Sequence, residues 1–365
     1  MKRKTPHKNP YLPQEIITEI LLRLPVKSLL RFKPTSKSWR SLISSKHFVK
    51  THLKNSTKDR TFAHHEIIAA TVEDNKYEVQ HSSLHPLFLE RIAYANRGDF
   101  PVDESVDSLH LLGSCNGLIC ININRNKYFL WNPSTREYKK LPDFDLNSPG
   151  LFIEDGFGFD ESSGDYKVYA VSYGLFQAVA AKIYSLKINS WTSINYHNND
   201  FLLYHNRQFL LYHNNDFLLS PGTGKFVSGN LHWIRKKKDK WGWRWYITSL
   251  DLKNEVYGIV ELPSDLNDYS RPVLGVLNGC LSMFCYYQDR EYSDLWVLKH
   301  YGVLDSWSKI MRIPTNPFRE HIEVLFKCGL DLVVYNSKED HFSDPKMIGH
   351  NKVVYVESLV SIVDE

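Results

Sequence analysis

The N-terminal segment of the chain, residues 11–53, carries more apolar surface than a unit of its size can bury alone. Pro13, Pro25 and Pro34 divide it, and a proline suits the first turn of a helix while ending the helix before it. Isoleucine and leucine recur at helical spacing after Pro13, which predicts one wide apolar face. A unit of about 40 residues lies at the lower limit of independent folding, so we expect a partner protein to cover part of this surface.

The order of residues in this segment is as informative as its periodicity. Residues 12–32 read Leu-Pro-Gln-Glu-Ile-Ile-Thr-Glu-Ile-Leu-Leu-Arg-Leu-Pro-Val-Lys-Ser-Leu-Leu-Arg-Phe, and residues 36–43 read Ser-Lys-Ser-Trp-Arg-Ser-Leu-Ile. Ser36 can cap a third helix. The pattern resembles an F-box, in the form found in plant proteins with a C-terminal F-box-associated domain, a group that includes S-locus F-box proteins. It departs from the family at Pro34, where relatives usually have a small residue.

The resemblance implies that the chain is a substrate receptor of an SCF-type (Skp–cullin–F-box) ubiquitin ligase. The F-box would bind a Skp-family adaptor and through it a cullin–RING ligase, and the rest of the chain would bind a protein substrate. Such a non-catalytic subunit acts by proximity, because it raises the effective concentration of the substrate lysine near the ubiquitin-conjugating enzyme. Some of the adaptor-binding candidates must pack internally, and the sequence does not separate the two sets. The candidates are Leu12, Pro13, Ile16, Ile20, Leu24, Pro25, Leu29 and Trp39.

A recurring hairpin pattern organises the chain after about residue 60. An apolar anchor, a polar turn and an aromatic residue seven positions after the anchor occur at Trp131, Tyr184 and Leu250. A fourth copy, anchored on Trp296, has four extra residues before its aromatic residue, Trp307. The anchors are 53, 66 and 46 residues apart, and repeats of about 40–50 residues with four strands are typical of β-propeller blades. The remainder of the chain would hold about six such repeats, and a β-sandwich of similar hairpins is the alternative.

Short stretches of this region also resemble the plant F-box-associated domain. They are residues 115–119, 130–136, 156–160, 165–168 and 301–307. The double glycine of kelch repeats is absent, so the domain is kelch-like at most. The sequence therefore predicts an α+β multidomain chain. Its parts are a loose basic tail over 1–10, a three-helix F-box over 11–53 and an all-β, β-propeller-like domain over 60–365.

Three tandem octapeptides occupy residues 196–219, each beginning with Tyr-His-Asn. Two copies account for 16 residues, and removing them shortens the 66-residue interval between anchors to 50, near its neighbours. Loops tolerate insertions at little cost in stability. We therefore interpret the array as an expansion in a loop outside the core. The alternative is a recognition loop lined by tyrosine and histidine.

Residues 235–245 mix cations with tryptophans between two strand-like runs. Such a mixture can bind nucleic acid through phosphate contacts and base stacking, or an acidic protein partner. The included glycine and the flanking strands favour a hairpin tip. We take this tract as the candidate substrate contact, with residues Arg235, Lys236, Lys237, Lys238 and Arg244.

Other function classes find little support in the sequence. The formal net charge of +4 comes from 45 basic and 41 acidic side chains, a balance that does not by itself indicate nucleic acid or membrane partners. No apolar stretch approaches 18 residues, no cysteine pair has zinc-finger spacing, and no nucleophile or phosphate-binding motif is complete. We expect no metal, no cofactor and a cytoplasmic or nuclear location. A propeller enzyme or ligand sensor is the alternative from another class.

Overall fold

A computed structural model describes most of the chain. The described residues are 12–59, 61–86, 96–97, 100, 105–144, 152–173, 178–194, 223–239, 242–263, 266, 270–287, 292–303, 306–314, 323–328, 331–336, 341–343 and 351–362. The predicted basic tail, the octapeptide array and Trp241 lie outside these residues. Helices occupy the N-terminal part of the chain, and strands make up most of the remainder.

The N-terminal unit contains α1 (Gln14–Leu21), α2 (Val26–Phe32), α3 (Lys37–Ser44) and α4 (Lys46–Lys58). Pro13 and Pro25 occupy the positions just before α1 and α2, where a missing N–H leaves no bond unmade. Ser36 caps α3 as expected, because its Oγ accepts the Trp39 N–H at 3.1 Å. Helix α4 was not predicted from the sequence, although its capping residue, Ser45, is a recognisable signal.

The strands of the described residues form six antiparallel sheets in chain order. The first holds β1 (His65–Glu73), β2 (Lys76–Ser83) and β3 (Asn96–Arg97), and the second β4 (Leu109–Cys115), β5 (Leu118–Ile123), β6 (Lys127–Asn132) and β7 (Glu137–Lys140). The third holds β8 (Phe152–Asp160), β9 (Asp165–Tyr173), β10 (Ala178–Ser185) and β11 (Ser190–Ser193), and the fourth β12 (Lys225–Val227), β13 (Asn230–Asp239), β14 (Gly242–Asp251) and β15 (Val256–Val260). The fifth holds β16 (Ser270–Leu277), β17 (Cys280–Tyr287), β18 (Tyr292–Leu298) and β19 (Trp307–Pro314), and the sixth β20 (Glu323–Cys328), β21 (Asp331–Asn336) and β22 (His341–Ser343).

The last strand, β23 (Asn351–Val356), closes the domain by pairing antiparallel with β1. It becomes the inner edge of the first sheet, and β4, β8, β12, β16 and β20 are the inner edges of the others. Each inner strand contacts the inner strand of the next sheet, so the sheets form a ring. Contact between β21 and β23 completes this ring. The propeller prediction is therefore confirmed, and the β-sandwich alternative is wrong.

The predicted anchors lie on the third strands of successive sheets. Trp131, Tyr184 and Leu250 are at most 3% exposed, and each packs toward the preceding sheet. Their aromatic partners lie directly opposite on the fourth strands, in the pairs Trp131–Tyr138, Tyr184–Trp191 and Leu250–Tyr257. The repeat found in the sequence is thus a cross-strand pair whose anchor is buried between two sheets, while the aromatic partner is half-buried at Trp191 and Tyr257 and exposed at Tyr138.

The fourth copy of the repeat has a shifted register. Trp296 is buried toward the preceding sheet as predicted, but it lies opposite Lys309. Leu298 faces Trp307 and so occupies the position that Trp131 holds in the second sheet. From the sequence this anchor was placed two residues too early, because a bulge at Leu295 and a longer connection between β18 and β19 change the spacing.

Glycines allow the third and fourth sheets to approach closely at the centre of the domain. The Gly224 N–H donates to the Asp155 carbonyl at 2.7 Å, and Gly156 and Gly224 form a parallel bridge. A Cβ added at Gly224 would lie 2.6 Å from the Trp233 ring. Only glycine therefore permits this contact between inner strands without displacing the tryptophan.

Candidate protein-interaction surfaces

An apolar stripe along α1 is the first candidate surface. Leu12 is 58% exposed, Ile16 48% and Ile20 46%. A spacing of four residues aligns side chains on one side of a helix. Pro13 and Pro25 are also exposed near the ends of this helix. Large aliphatic side chains in such a row are typical of a surface that a partner protein covers.

The remaining predicted adaptor-binding residues face inward to different degrees. Leu24 and Trp39 are half-buried against the F-box core, and the Trp39 ring packs edge-to-face on Phe32 with centroids 5.5 Å apart. Leu29 is fully buried among Leu21, Val26, Ile43 and Phe48. Among the predicted adaptor-binding residues, Leu29 is therefore internal to the F-box core.

The predicted cationic tract, residues 235–245, forms the outer half of the β13–β14 hairpin, which is the second candidate surface. The register pairs Lys236 with Trp245, Lys237 with Arg244 and Lys238 with Trp243. In the described part of this sheet, β12 pairs with β13 only up to residue 232, and β15 pairs with β14 only from residue 247. The outer half of the hairpin therefore extends beyond its neighbouring strands.

Arg235 lies at the base of this hairpin and forms an ion pair with Glu154 of β8, whose side chain is 1% exposed. The Arg235 Nε also donates to the Thr248 hydroxyl at 3.4 Å. A buried carboxylate that loses its cation is strongly destabilising. Arg235 therefore joins two sheets, whereas Lys236, Lys237, Lys238 and Arg244 lie farther along the hairpin.

A second carboxyl group adjoins the ion pair. Burial, together with the charge of Glu154, raises the pKa of Asp155 to about 7. Asp155 thus resists ionisation, while Arg235 balances the Glu154 charge. Glu154 thus holds the base of the hairpin through Arg235, whereas the Asp155 carboxyl interacts electrostatically with Cys120 and Tyr128 of the second sheet.

The two candidate surfaces lie on opposite sides of the propeller. In the second sheet, the turn between the third and fourth strands contacts the C-terminal segment 357–362, since Ser358 N–H donates to Ser134 Oγ at 3.3 Å. That segment packs into the F-box core through Leu359. Neighbouring strands of a sheet run in opposite directions. Turns between second and third strands therefore lie at the opposite end of the propeller from turns between third and fourth strands. The β13–β14 hairpin is such a turn, and Ile194 and Thr223, which flank the octapeptide array, lie at that end as well.

Neither a metal site nor a membrane-spanning helix is found among the residues that the structure describes. Among them, no group of three or more histidine, cysteine, aspartate or glutamate side chains is arranged to hold a metal ion. No described helix has both the length and the apolar character needed to span a membrane.

Comparisons with known proteins agree with this architecture. The F-box domain family matches residues 10–51, and the F-box associated beta propeller domain family matches residues 67–355. An F-box/kelch-repeat protein of Arabidopsis thaliana is 30% identical, over 96% of this chain and 95% of its own. The F-box protein CPR1 of Arabidopsis thaliana is 28% identical, over 83% of this chain and 73% of its own. The chain therefore belongs to the family of F-box proteins that carry an F-box-associated β-propeller domain.

Proposed function

We propose that this protein is a substrate-recognition subunit of an SCF-type ubiquitin ligase. The F-box would bind a Skp-family adaptor and through it a cullin–RING ligase, and the propeller would bind the protein substrate. The observation that carries the proposal is the exposed stripe of Leu12, Ile16 and Ile20 on an F-box whose other large apolar residues pack inward. The protein would act without a catalytic side chain or cofactor, in the cytoplasm, the nucleus or both.

The adaptor contact is assigned to the exposed members of the predicted set. They are Leu12, Pro13, Ile16, Ile20 and Pro25, with Leu24 and Trp39 at the edge of the contact. Leu29 supports these residues from within the core and does not touch the adaptor. Truncating one large interface anchor typically costs about 1–4 kcal/mol of binding free energy.

Titration calorimetry of the full chain with a purified Skp-family adaptor tests this assignment. The Ile16→Ala/Ile20→Ala double mutant should bind at least about 30-fold more weakly, since about 2 kcal/mol corresponds to that factor. Arg23→Ala is the matched control, because Arg23 lies just after α1 and is itself exposed, with an ion pair to the exposed Glu19 at 2.7 Å. Equal affinities of the double mutant and the wild type would contradict the adaptor site.

The substrate contact is assigned to the outer half of the β13–β14 hairpin. Lys236, Lys237, Lys238 and Arg244 supply four cations within two paired strands, which suits an acidic segment of a protein partner. The hairpin lies on the face opposite the F-box, so an adaptor bound to α1 leaves it accessible. Arg235 is removed from the contact set because it neutralises Glu154.

Quantitative pull-down with wild type and the Lys236→Ala/Lys237→Ala/Lys238→Ala variant tests this second surface. Acidic partners should be depleted from the variant by tenfold or more, with the thermal midpoint unchanged. A variant with Lys187→Ala and Lys253→Ala removes two exposed lysines from turns on the F-box side and serves as the control. Identical partner recovery from both variants would remove the hairpin from the substrate site.

A further inference from the structure

The C-terminal segment 357–362 completes the core of the N-terminal F-box. Leu359 is 6% exposed and packs with Leu21, Leu29 and Phe48. These partners come from α1, α2 and α4, more than 300 positions away in the chain. The F-box core is therefore incomplete without Leu359.

The same segment is fastened to the propeller on both sides of Leu359. The Asn132 side-chain amide donates to the carbonyl oxygens of Ser358 at 3.1 Å and Val360 at 2.8 Å. The Glu137 carboxylate accepts the Ile362 N–H at 3.1 Å. Ile362 is 3% exposed in the core between the second and third sheets. The segment therefore bridges two hydrophobic cores within four residues.

A second connection between the F-box and the propeller, the linker after α4, runs beside the segment 357–362; the two connections are called crossings here. The linker after α4 is ordered by Asp59, whose carboxylate accepts the N–H groups of Thr61 at 3.0 Å and Ala63 at 2.9 Å. The linker ends at His64, whose carbonyl accepts the Glu357 N–H at 2.9 Å. The two crossings are thus hydrogen-bonded to each other where they pass between the F-box and the propeller.

We propose that residues 357–362 act as a strap that fixes the orientation of the F-box relative to the propeller. A single linker would let the two parts swing, whereas a second crossing anchored in both cores removes that freedom. The strap also couples closure of the propeller to the F-box, because it continues directly from β23, the strand that closes the ring. If the proposed function holds, the strap keeps adaptor and substrate at one fixed separation, which favours a productive geometry.

Distance measurements on the full chain test the strap. Spectroscopic labels are placed at Ser41 on α3 and Lys253 in the fourth sheet, both exposed, through non-canonical amino acids because the chain has cysteines of its own. The wild type should give a single narrow distance distribution. Leu359→Ser should broaden it at least twofold, and the volume-conserving Leu359→Met should restore the narrow distribution.

A second variant guards against loss of the F-box fold in Leu359→Ser. Glu137→Ala/Ile362→Ala removes the outer fastening of the strap to the propeller, whereas the Asn132 bonds and the place of Leu359 in the F-box core remain, so it should broaden the distribution less than Leu359→Ser does. A narrow distribution in both variants would overturn the proposal. Adaptor binding is measured on the same samples: an adaptor that fails to bind the wild type contradicts the proposed function, whereas the distance distributions test the strap alone.

Discussion

The F-box and the propeller bury their apolar residues by different means. Each propeller sheet lies between two others, so anchors such as Trp131 and Tyr184 are enclosed by the repeat itself. The F-box has too few residues to enclose its own apolar surface, and it takes Leu359 from the far end of the chain while leaving Ile16 exposed. In the repeated domain an apolar position predicts burial, whereas in the small one it predicts either burial or a partner.

The largest expected effect is a difference in unfolding free energy between a substitution in the propeller core and one in the exposed α1 stripe. Trp131→Ala should lower the free energy of unfolding by about 3–5 kcal/mol, because it empties the core between the first two sheets. Ile16→Ala should change it by less than about 0.5 kcal/mol, because Ile16 contributes mainly to an exposed surface. Urea titration of both variants measures the difference. Equal losses would mean that the α1 stripe is part of the folded core.

Substitutions at the base and in the outer half of the β13–β14 hairpin should also differ in their effect on the unfolding free energy. Arg235→Ala should cost about 3 kcal/mol of unfolding free energy, since it leaves Glu154 buried without its cation. Arg244→Ala, at an exposed position farther out, should cost less than about 0.5 kcal/mol. Thermal and urea unfolding report both values. A neutral Arg235→Ala would return this residue to the candidate substrate contacts.

The propeller should also carry a pH dependence from Asp155. Its pKa is raised to about 7 in the folded protein from 3.8, so the folded state binds more protons between these values and loses stability as the pH rises through them. Asp155→Asn removes this titration. The difference in unfolding free energy, variant minus wild type, should therefore increase as the pH rises from 4 to 7.5. A constant difference over this range would show that Asp155 titrates normally.

The F-box should show a smaller dependence of opposite sign. Burial lowers the pKa of His52, whose Nε2 lies 2.8 Å from the Leu24 carbonyl oxygen. The folded F-box therefore resists protonation and loses stability as the pH falls below about 6.5. His52→Gln should flatten this acid loss, as measured by hydrogen exchange of α2 amides at pH 5.5 and 7.5. An unchanged pH ratio would contradict a role for His52.

Local patterns identified the parts of the protein but not all of their contacts. The helix-starting prolines, the Ser36 cap and three anchors were predictable, because each depends on residues close in the chain. The helix α4 was missed although Ser45 caps it, and the anchor at Leu298 was assigned to Trp296 because a bulge altered the register. The position of Leu29 inside the core was not predictable, since exposed and internal leucines share the same helical spacing.

The sequence by itself determined the family, the helical N-terminal unit and the repeated hairpins, because short-range periodicity and turn residues specify such elements. Only the tertiary structure decided that Leu359 belongs to the F-box core and that Arg235 neutralises Glu154. Both contacts join residues that are far apart in the chain. No local pattern encodes such a pairing, since it depends on how closure of the propeller ring brings distant segments together.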